Sequence, residues 1–244
     1  MSPNVFNNLV PYLIAGFGGI GLLTIVLIFY FFSKTLKRQS EQSAKNAAPQ
    51  FIRTYPSFIQ RFQATVHPSQ GWFPRVDLRL GGFPARLTCS QRVIPGAKPS
   101  ASRVYFLYRL SVDVGALPNR LSLYVGNKGL WTGLTRVVRS KVPDGATDIH
   151  LDSEKLGDSF VCKGKEISRT QSFLDDETLA VLFRLLNLVS PTSIELWTKG
   201  SQWNLEKRMP VYGTSQAALM EEEDLIELVD GAKSLFSAYQ RSCQ

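Results

Sequence analysis

The strongest constraint on this chain is an apolar stretch near its start, Leu9 to Phe32, which has 24 residues and no charged side chain. A helix rises about 1.5 Å per residue, so about 20 apolar residues cross the roughly 30 Å hydrocarbon core of a bilayer. The stretch predicts a transmembrane helix, which we place at residues 9–33, after a short N-terminal tail at residues 1–8.

The charges that flank this stretch predict its orientation. Residues 1–8 carry no positive charge and no A-x-A cleavage signal follows the apolar run, so we expect a retained anchor and not a cleaved signal. Lys34, Lys37 and Arg38 come directly after it, and an excess of Lys and Arg marks the cytoplasmic flank of a span. We therefore expect the N-terminus outside and the C-terminal domain in the cytoplasm.

Small side chains inside the stretch predict a place where another helix packs. Ala15 and Gly19 are four residues apart, and Gly18 lies beside Gly19. Small residues at this spacing let two membrane helices approach closely, although glycine is also simply common in membrane helices. The first interpretation predicts contact with other membrane-protein subunits, or self-association, through Ala15, Gly18 and Gly19.

The chain after the anchor divides into a linker and one domain. Residues 34–50 are polar and carry a net charge of +3, which predicts a basic polar linker. Residues 51–244 have the length of one soluble domain with a single core.

Alternating apolar residues predict strands in the first part of that domain. They recur at every second position on either side of Gly81-Gly82 and of Lys199-Gly200, which predicts two β-hairpins. Pro84 places its strand at a sheet edge or at a strand start, because it cannot donate a ladder hydrogen bond. The alternation continues to residue 125, so we expect an antiparallel meander there.

Helical spacing dominates the later part of the domain. A short helix is predicted near Pro56, a second one after the acidic triplet at 175–177, and a long one from about Ser215 to Gln240. Because the strands come first and most helices come late, we predict an α+β fold in which helices pack on one face of an antiparallel sheet.

The charges of the domain are distributed unevenly. Residues 75–141 hold twelve Lys or Arg against Asp77 and Asp113, whereas residues 142–244 hold ten basic residues against seventeen acidic ones. Such a basic half attracts anionic lipid, nucleic acid or an acidic protein, or it is solvated or compensated within the fold. Nucleic acid is not expected, because the tryptophans are scattered and no RNP-like string occurs. The candidate contacts with an anionic surface are Lys34, Lys37, Arg38, Arg79, Arg86 and Arg109.

The sequence predicts no catalytic, cofactor-binding or metal-binding residues. It has no G-x-S-x-G, P-loop, HExxH or EF-hand string. Of the two histidines, His150 lies between Asp148 and Asp152, which suits either a carboxylate–imidazole site or a solvated face of a strand. Cys89 and Cys162 are expected in the core, and Cys243, near the tail, is expected to be exposed.

One string supports a resemblance. Gly157, Asp158, Phe160 and Val161 precede Phe173-Leu174 and a leucine-rich helix, within a chain that starts with a span and ends with a helix. In these features the chain resembles uncharacterised bacterial single-pass membrane-anchored proteins with a cytoplasmic α+β domain. The resemblance implies a bacterial inner membrane and no assigned activity.

These observations predict a non-enzymatic accessory, scaffold or assembly subunit of a membrane protein complex. The span and the cytoplasmic domain are expected to act by protein–protein contacts at the lipid bilayer, without a cofactor. Two alternatives stay open at this point. One is a domain that recognises anionic lipid, and the other is an enzyme whose site is not visible as a motif.

Overall fold

The computed structural model describes residues 30, 34, 46–69, 73–94, 103–128, 140–151, 159–189, 193–210 and 220–244. Within them, nine strands form one sheet in which every neighbouring pair is antiparallel. The strands are β1 (Thr65–His67), β2 (Arg75–Leu80), β3 (Phe83–Ile94), β4 (Arg103–Asp113), β5 (Leu123–Asn127), β6 (Thr147–Asp148), β7 (Phe160–Gly164), β8 (Ser193–Lys199) and β9 (Gln202–Pro210). Their spatial order is β1-β2-β3-β4-β9-β8-β5-β7-β6.

Helices complete an α+β fold, as the periodicity predicted. They are α1 (Pro56–Phe62), α2 (Ile167–Phe173), α3 (Asp176–Asn187) and α4 (Glu222–Ser242). Residues 46–54 are also helical. This helical segment includes the last five residues of the predicted linker, and Ala47 and Ala48 in it are buried.

Both predicted hairpins are confirmed. Gly81 and Gly82 connect β2 to β3 with φ angles of 54° and 85°, a left-handed conformation that glycine adopts without strain. Gly200 does the same between β8 and β9, with φ of 58°. For Pro84 the prediction was a sheet edge or a strand start. It is the second residue of β3, an interior strand, so the strand start is confirmed and the sheet edge is wrong.

The predicted meander is wrong beyond β4. The chain leaves β4 without pairing it to β5, and the C-terminal hairpin β9–β8 lies between them. The connection from β4 to β5 is too long for a tight turn, and the inserted hairpin completes an apolar row. In that row Leu110 faces Leu205, Leu205 faces Leu196, and Leu196 faces Val125.

One face of the sheet, here called the inner face, carries the hydrophobic core. Phe236 of α4 packs edge-on against Trp203, with ring centroids 5.4 Å apart, and against Phe83, at 5.7 Å. Near the other end of the core, Phe73 packs against Phe51 at 5.4 Å and against Tyr108 at 5.8 Å. The helical segments therefore bury this face of the sheet.

Two helices of the core approach each other closely at a glycine. A Cβ atom at Gly231 of α4 would lie 2.8 Å from the Leu185 side chain of α3. Only glycine leaves room for α3 at that position, so the glycine fixes the packing of the helix pair.

Side chains cap the N-terminal ends of two helices. Asp175 accepts a hydrogen bond from the Thr178 amide (2.8 Å) and caps α3, as its acidic start predicted. α1 has no side-chain cap of its own at Tyr55, and Glu222 of α4 accepts from the Phe58 amide at 2.8 Å instead. The acidic run at 221–224 thus supplies a cap to a different helix.

The C-terminal helix begins later than predicted, at Glu222. Met220 precedes it in a non-helical conformation, because its carbonyl accepts from the Tyr55 hydroxyl (2.8 Å) and its amide donates to the Tyr108 hydroxyl (3.0 Å). Residues 215–219 of the predicted helix lie outside the described residues.

The membrane prediction falls almost entirely on residues that are not described. Of the stretch Leu9 to Phe32, only Tyr30 lies within the described residues. Among the residues that are described, no helix has the length and apolar character needed to cross a bilayer.

Candidate functional site

The sheet face opposite the inner face, here called the outer face, concentrates the polar chemistry of the domain. Register places one outer-face residue from each strand in a continuous row. From β1 to β6 the row reads Thr65, Asp77, Arg86, Ser111, Asn204, Trp197, Tyr124, Lys163 and Asp148. Polar and aromatic side chains therefore line the outer face from one edge of the sheet to the other.

Burial divides this face into two parts. The part on β9, β8 and β5, which we call the sealed half, consists of Tyr124, Lys141, Glu195, Trp197 and Glu206, all of them buried. Val142 follows Lys141 and packs against the two aromatic rings of this group. The segment at 140–142 thus helps to cover the sealed half.

The sealed half contains two carboxylates that face each other directly. Glu195 and Glu206 are cross-strand partners, and each is only 2% exposed. Two buried like charges at this spacing are strongly unfavourable unless cations compensate them. The register that pairs Glu195 with Glu206 therefore requires a cation between the two carboxylates.

Lys141 and Arg109 supply that compensation. The Lys141 ammonium group contacts a carboxylate oxygen of Glu195 and lies 2.7 Å from Glu206 Oε1. The Arg109 guanidinium donates to Glu206 Oε2 through Nη2 (2.8 Å) and Nε (3.1 Å). Two cations thus meet two carboxylates, so the charges of Glu195 and Glu206 are balanced by direct partners.

Aromatic side chains complete the network. The Tyr124 hydroxyl donates to Glu195 Oε1 at 2.9 Å, and its ring lies over Gly126, where a Cβ would be 2.3 Å from the hydroxyl oxygen. Lys141 Nζ lies 4.2 Å from the centroid of the Trp197 ring, a distance typical of a cation–π contact. Every charged head in the cluster therefore has specific partners.

The electrostatics of the cluster favour a fixed charge state. Burial by itself raises the pKa of Glu206, but the charges and hydrogen bonds of Lys141 and Arg109 outweigh burial and hold that pKa below its ordinary value. Burial and the neighbouring Glu195 raise the pKa of Tyr124, which stays a neutral donor. A carboxylate held as an anion in this way is unsuited to general acid catalysis.

The second part of the outer face, which we call the open half, consists of His67, Arg75, Asp77, Arg79 and Arg86 on β1, β2 and β3. Asp77 lies 3.4 Å from His67 Nε2 and 3.2 Å from the Nε atoms of both Arg75 and Arg86. The Arg86 side chain is 56% exposed and that of Arg75 is 43% exposed. One carboxylate among several cations leaves an excess of positive charge at the surface.

The structure brings together the three arginines that the sequence singled out in the domain. Arg79, Arg86 and Arg109 lie on the outer face of three consecutive strands. Each is a diagonal neighbour of the next, because Arg79 faces Pro84 and Arg86 faces Ser111. Their roles differ, since Arg109 is engaged with buried Glu206 while Arg79 and Arg86 are exposed.

Of the candidate residues nearer the N-terminus, the structure describes only Lys34. Lys34 is exposed, and its Nζ atom lies 5.8 Å from the centroid of the Tyr30 ring. Lys37, Arg38 and the predicted helix-packing residues Ala15, Gly18 and Gly19 lie outside the described residues.

The carboxylate–imidazole candidate is only partly described. His150 is exposed beyond β6, and Asp148 forms an ion pair with Lys163 at 2.6 Å, with its own side chain 78% exposed. Asp152 lies outside the described residues. Across the ranges that are described, no three or more His, Cys, Asp or Glu side chains converge as a set of metal ligands.

The cysteines are packing residues in the structure. Cys162 lies in the core, where burial raises its pKa to about 12, and burial likewise raises the pKa of Cys89. The predicted exposure of Cys243 is wrong, because α4 continues to Ser242 and turns this thiol into the core beside Tyr239.

One buried cation lies on the inner face and was not predicted. Lys207 is fully buried, and its ammonium group donates to the Leu186 carbonyl at 2.7 Å, in the last turn of α3. This position suits a cation, because the carbonyl groups at a helix C-terminus carry partial negative charge. Burial lowers the pKa of Lys207 to about 8, against the opposite effect of Asp224.

The sealed half was also not predicted, although it had signals in the sequence. Glu195 interrupts an apolar strand between Ile194 and Leu196, whereas Glu206 lies between Leu205 and Lys207 in a strand of mixed character. A charge inside an apolar strand calls for a buried partner.

In comparisons with known proteins, no family model matches this chain and no curated protein matches it.

Proposed function

We propose that this chain is a non-enzymatic, membrane-anchored accessory, scaffold or assembly subunit of a membrane protein complex. In this proposal residues 9–33 form a single transmembrane helix, with a short N-terminus outside and the domain in the cytoplasm at a bacterial inner membrane. The span and the domain each contact other membrane-protein subunits or a second copy of the chain.

The observation that carries the proposal is the way the domain uses its charges. Its convergent buried carboxylates, Glu195 and Glu206, are neutralised by Lys141 and Arg109 and hold the sheet together. The exposed charges, in contrast, are spread over strands that a rigid sheet fixes in position. A rigid charged surface suits contact with a large partner, whereas small-molecule sites are concave and mostly apolar.

The anchor rests on the composition of the first part of the chain. The uncharged run Leu9 to Phe32 has the length of a span, and Lys34, Lys37 and Arg38 follow it directly. The resemblance to membrane-anchored bacterial proteins, carried by Gly157, Asp158, Phe160 and Val161, agrees with this assignment.

The enzyme alternative needs groups that are free to exchange protons or to bind a substrate. Glu206 is the opposite case, because its pKa is held low and its oxygens are occupied by Lys141 and Arg109. His150 is exposed, and the Asp148 carboxylate next to it is paired with Lys163. The contact function is therefore the better supported of the two.

Purification of the full chain from its own membrane in mild detergent tests the proposal. The expected result is a particle larger than one chain and its detergent, with a copurifying membrane protein or a second copy. Recovery of the chain as a monomer without a partner contradicts the proposal, and so does recovery in the soluble fraction.

A pair of substitutions distinguishes partner contact through the span from partner contact through the domain. Gly18→Leu with Gly19→Leu closes the small-residue patch, whereas Leu22→Ile with Leu23→Ile leaves the patch intact and serves as the matched control. We expect the first pair to lower the yield of the copurified partner and the control pair to leave it unchanged. Equal yields would assign the contact to the domain alone.

A further inference from the structure

We propose that the open half of the outer face docks on anionic lipid headgroups, so that the domain lies with this part of its sheet on the membrane and its helices away from it. The inference rests on the proposed membrane anchor, and it names the surface that the anchor brings to the bilayer. The occupant is the anionic headgroup layer itself.

Charge balance distinguishes this surface from the rest of the outer face. In the open half, Asp77 is surrounded by His67, Arg75 and Arg86, so one carboxylate meets two permanent cations and an imidazole. Arg79 adds a further exposed guanidinium, whose nearest acceptor is the Gly82 carbonyl at 3.4 Å. The surplus of positive charge attracts an anionic surface outside the domain.

The shape of the surface suits a plane of headgroups. Arg75 and Arg79 lie on β2 and Arg86 on β3, all on the same face of two paired strands. Neighbouring strands are about 4.8 Å apart and a strand rises about 3.3 Å per residue, so these guanidinium groups start from points in one layer. A guanidinium also donates two parallel hydrogen bonds to a phosphate, which a lysine does not.

The segment between the predicted anchor and the domain, here called the tether, is long enough for this orientation and keeps the open half close to the bilayer. Residues 35–45 separate the end of the predicted anchor region from the first helical residue of the domain, and eleven residues reach at most roughly 40 Å. That reach is comparable with the diameter of a domain of this size, so charge and not tether length selects the face that meets the bilayer. A short tether also keeps the face at a millimolar effective concentration.

The expected strength explains why docking depends on the anchor. Each exposed arginine near an anionic leaflet raises surface binding about fivefold. Because Asp77 offsets one of the three arginines, the net charge of two on Arg75, Arg79 and Arg86 gives roughly a 25-fold preference for anionic over neutral lipid. This preference is sufficient to orient a tethered domain, although it is too weak to recruit an untethered one.

The test uses the full chain in nanodiscs of phosphatidylcholine, with and without phosphatidylglycerol, each containing a small share of nitroxide-labelled lipid. A fluorophore is attached at Ser90→Cys, on the outer face of β3, or at Ser234→Cys, an exposed position on α4. The native thiols of Cys162 and Cys243 are buried and that of Cys89 is largely covered, so the introduced thiol reacts preferentially. The measured quantity is the quenching of each fluorophore by the lipid nitroxide.

We expect strong quenching at position 90 only in phosphatidylglycerol nanodiscs, and weak quenching at position 234 in both lipids. Arg79→Gln with Arg86→Gln should shift the docking equilibrium about 25-fold toward the undocked state. Lys233→Gln, an exposed cation on α4, is the matched control and should leave the quenching unchanged.

Three outcomes overturn the inference while leaving the anchor in place. They are equal quenching at the two positions, quenching that ignores phosphatidylglycerol, and quenching that the two arginine substitutions do not reduce. Protection of the position 90 label by a copurified protein, without a lipid effect, would assign the open half to a protein partner. A chain that does not enter nanodiscs at all would overturn both the proposed anchor and this inference.

Discussion

The two halves of the outer face both pair carboxylates with cations, and they differ in burial and in charge balance. In the sealed half, two carboxylates at 2% exposure meet two cations. In the open half, one carboxylate at 34% side-chain exposure meets two arginines and a histidine. Buried ion pairs must balance to be tolerated, whereas exposed ones need not. The sealed half therefore supports the fold, whereas the open half keeps an excess of positive charge at the surface.

The largest expected effect follows from removing the shared cation of the sealed half. Lys141→Met leaves Glu195 and Glu206 facing each other in a buried environment, with only Arg109 on one of them. We expect the free energy of unfolding to fall by about 3–5 kcal/mol, because a buried charge loses its partner. Urea denaturation followed by tryptophan fluorescence measures the loss.

The control for this substitution is an ion pair on the same face whose carboxylate is exposed. Lys163→Met removes the partner of Asp148, whose side chain is 78% exposed, and should cost less than about 1 kcal/mol. If both substitutions cost the same, the sealed half has no special role in stability.

The next effect in size concerns acid. Because the folded-state pKa of Glu206 lies below its ordinary 4.5, its contribution to stability is present above pH 4.5 and is lost as the pH falls through the lower folded value. Between pH 5 and pH 3 we expect the wild type to lose more stability than Glu206→Gln. Urea titrations at each pH give this difference, and parallel pH profiles of the two proteins would contradict it.

A third prediction concerns the buried cation of the inner face. Lys207 has a folded-state pKa of about 8 against an ordinary 10.5, so the folded protein releases this proton first and stability rises with pH above 8. From pH 7.5 to 9 we expect a gain of about 1 kcal/mol relative to Lys207→Met. The raised pKa values of Cys89 and Cys162 act in the opposite direction as the pH approaches 9, and measuring the gain relative to Lys207→Met cancels their effect. The comparison stays below pH 10, where Tyr108 and Tyr124 act in the same way as the thiols.

The smallest effect on stability is expected in the open half. Arg79→Gln with Arg86→Gln removes exposed charges, and the free energy of unfolding should change by less than about 0.5 kcal/mol per site. Urea denaturation of this variant also validates its use in the lipid experiment, because a folded domain is required there. A loss above about 2 kcal/mol would place these arginines with the structural residues.

Local pattern was sufficient to predict most of the elements. The hairpin at Gly81-Gly82, the one at Gly200 and the start of α3 at Asp176 all follow from residues adjacent in sequence. Each of these features depends on turn or capping chemistry within a few residues, and that chemistry can be recognised in a single chain.

Features that depend on distant residues were missed. The insertion of β9 and β8 between β4 and β5 and the cap that Glu222 gives to α1 join parts of the chain far apart in sequence. The sealed half depends on that insertion, because it brings Arg109 opposite Glu206 and places Glu195 beside it. The arginines of the open half lie on one local hairpin, β2–β3, and two of them, Arg79 and Arg86, could be recognised from the sequence.

The most direct test of the difference between the sealed half and the open half is a pair of double-mutant cycles measured by urea denaturation. One cycle combines Lys141→Met with Glu206→Gln in the sealed half, and the other combines Arg86→Gln with Asp77→Asn in the open half. We predict a coupling energy above about 2 kcal/mol in the first cycle and below about 1 kcal/mol in the second. Equal coupling energies, or the larger one in the open half, would contradict the account.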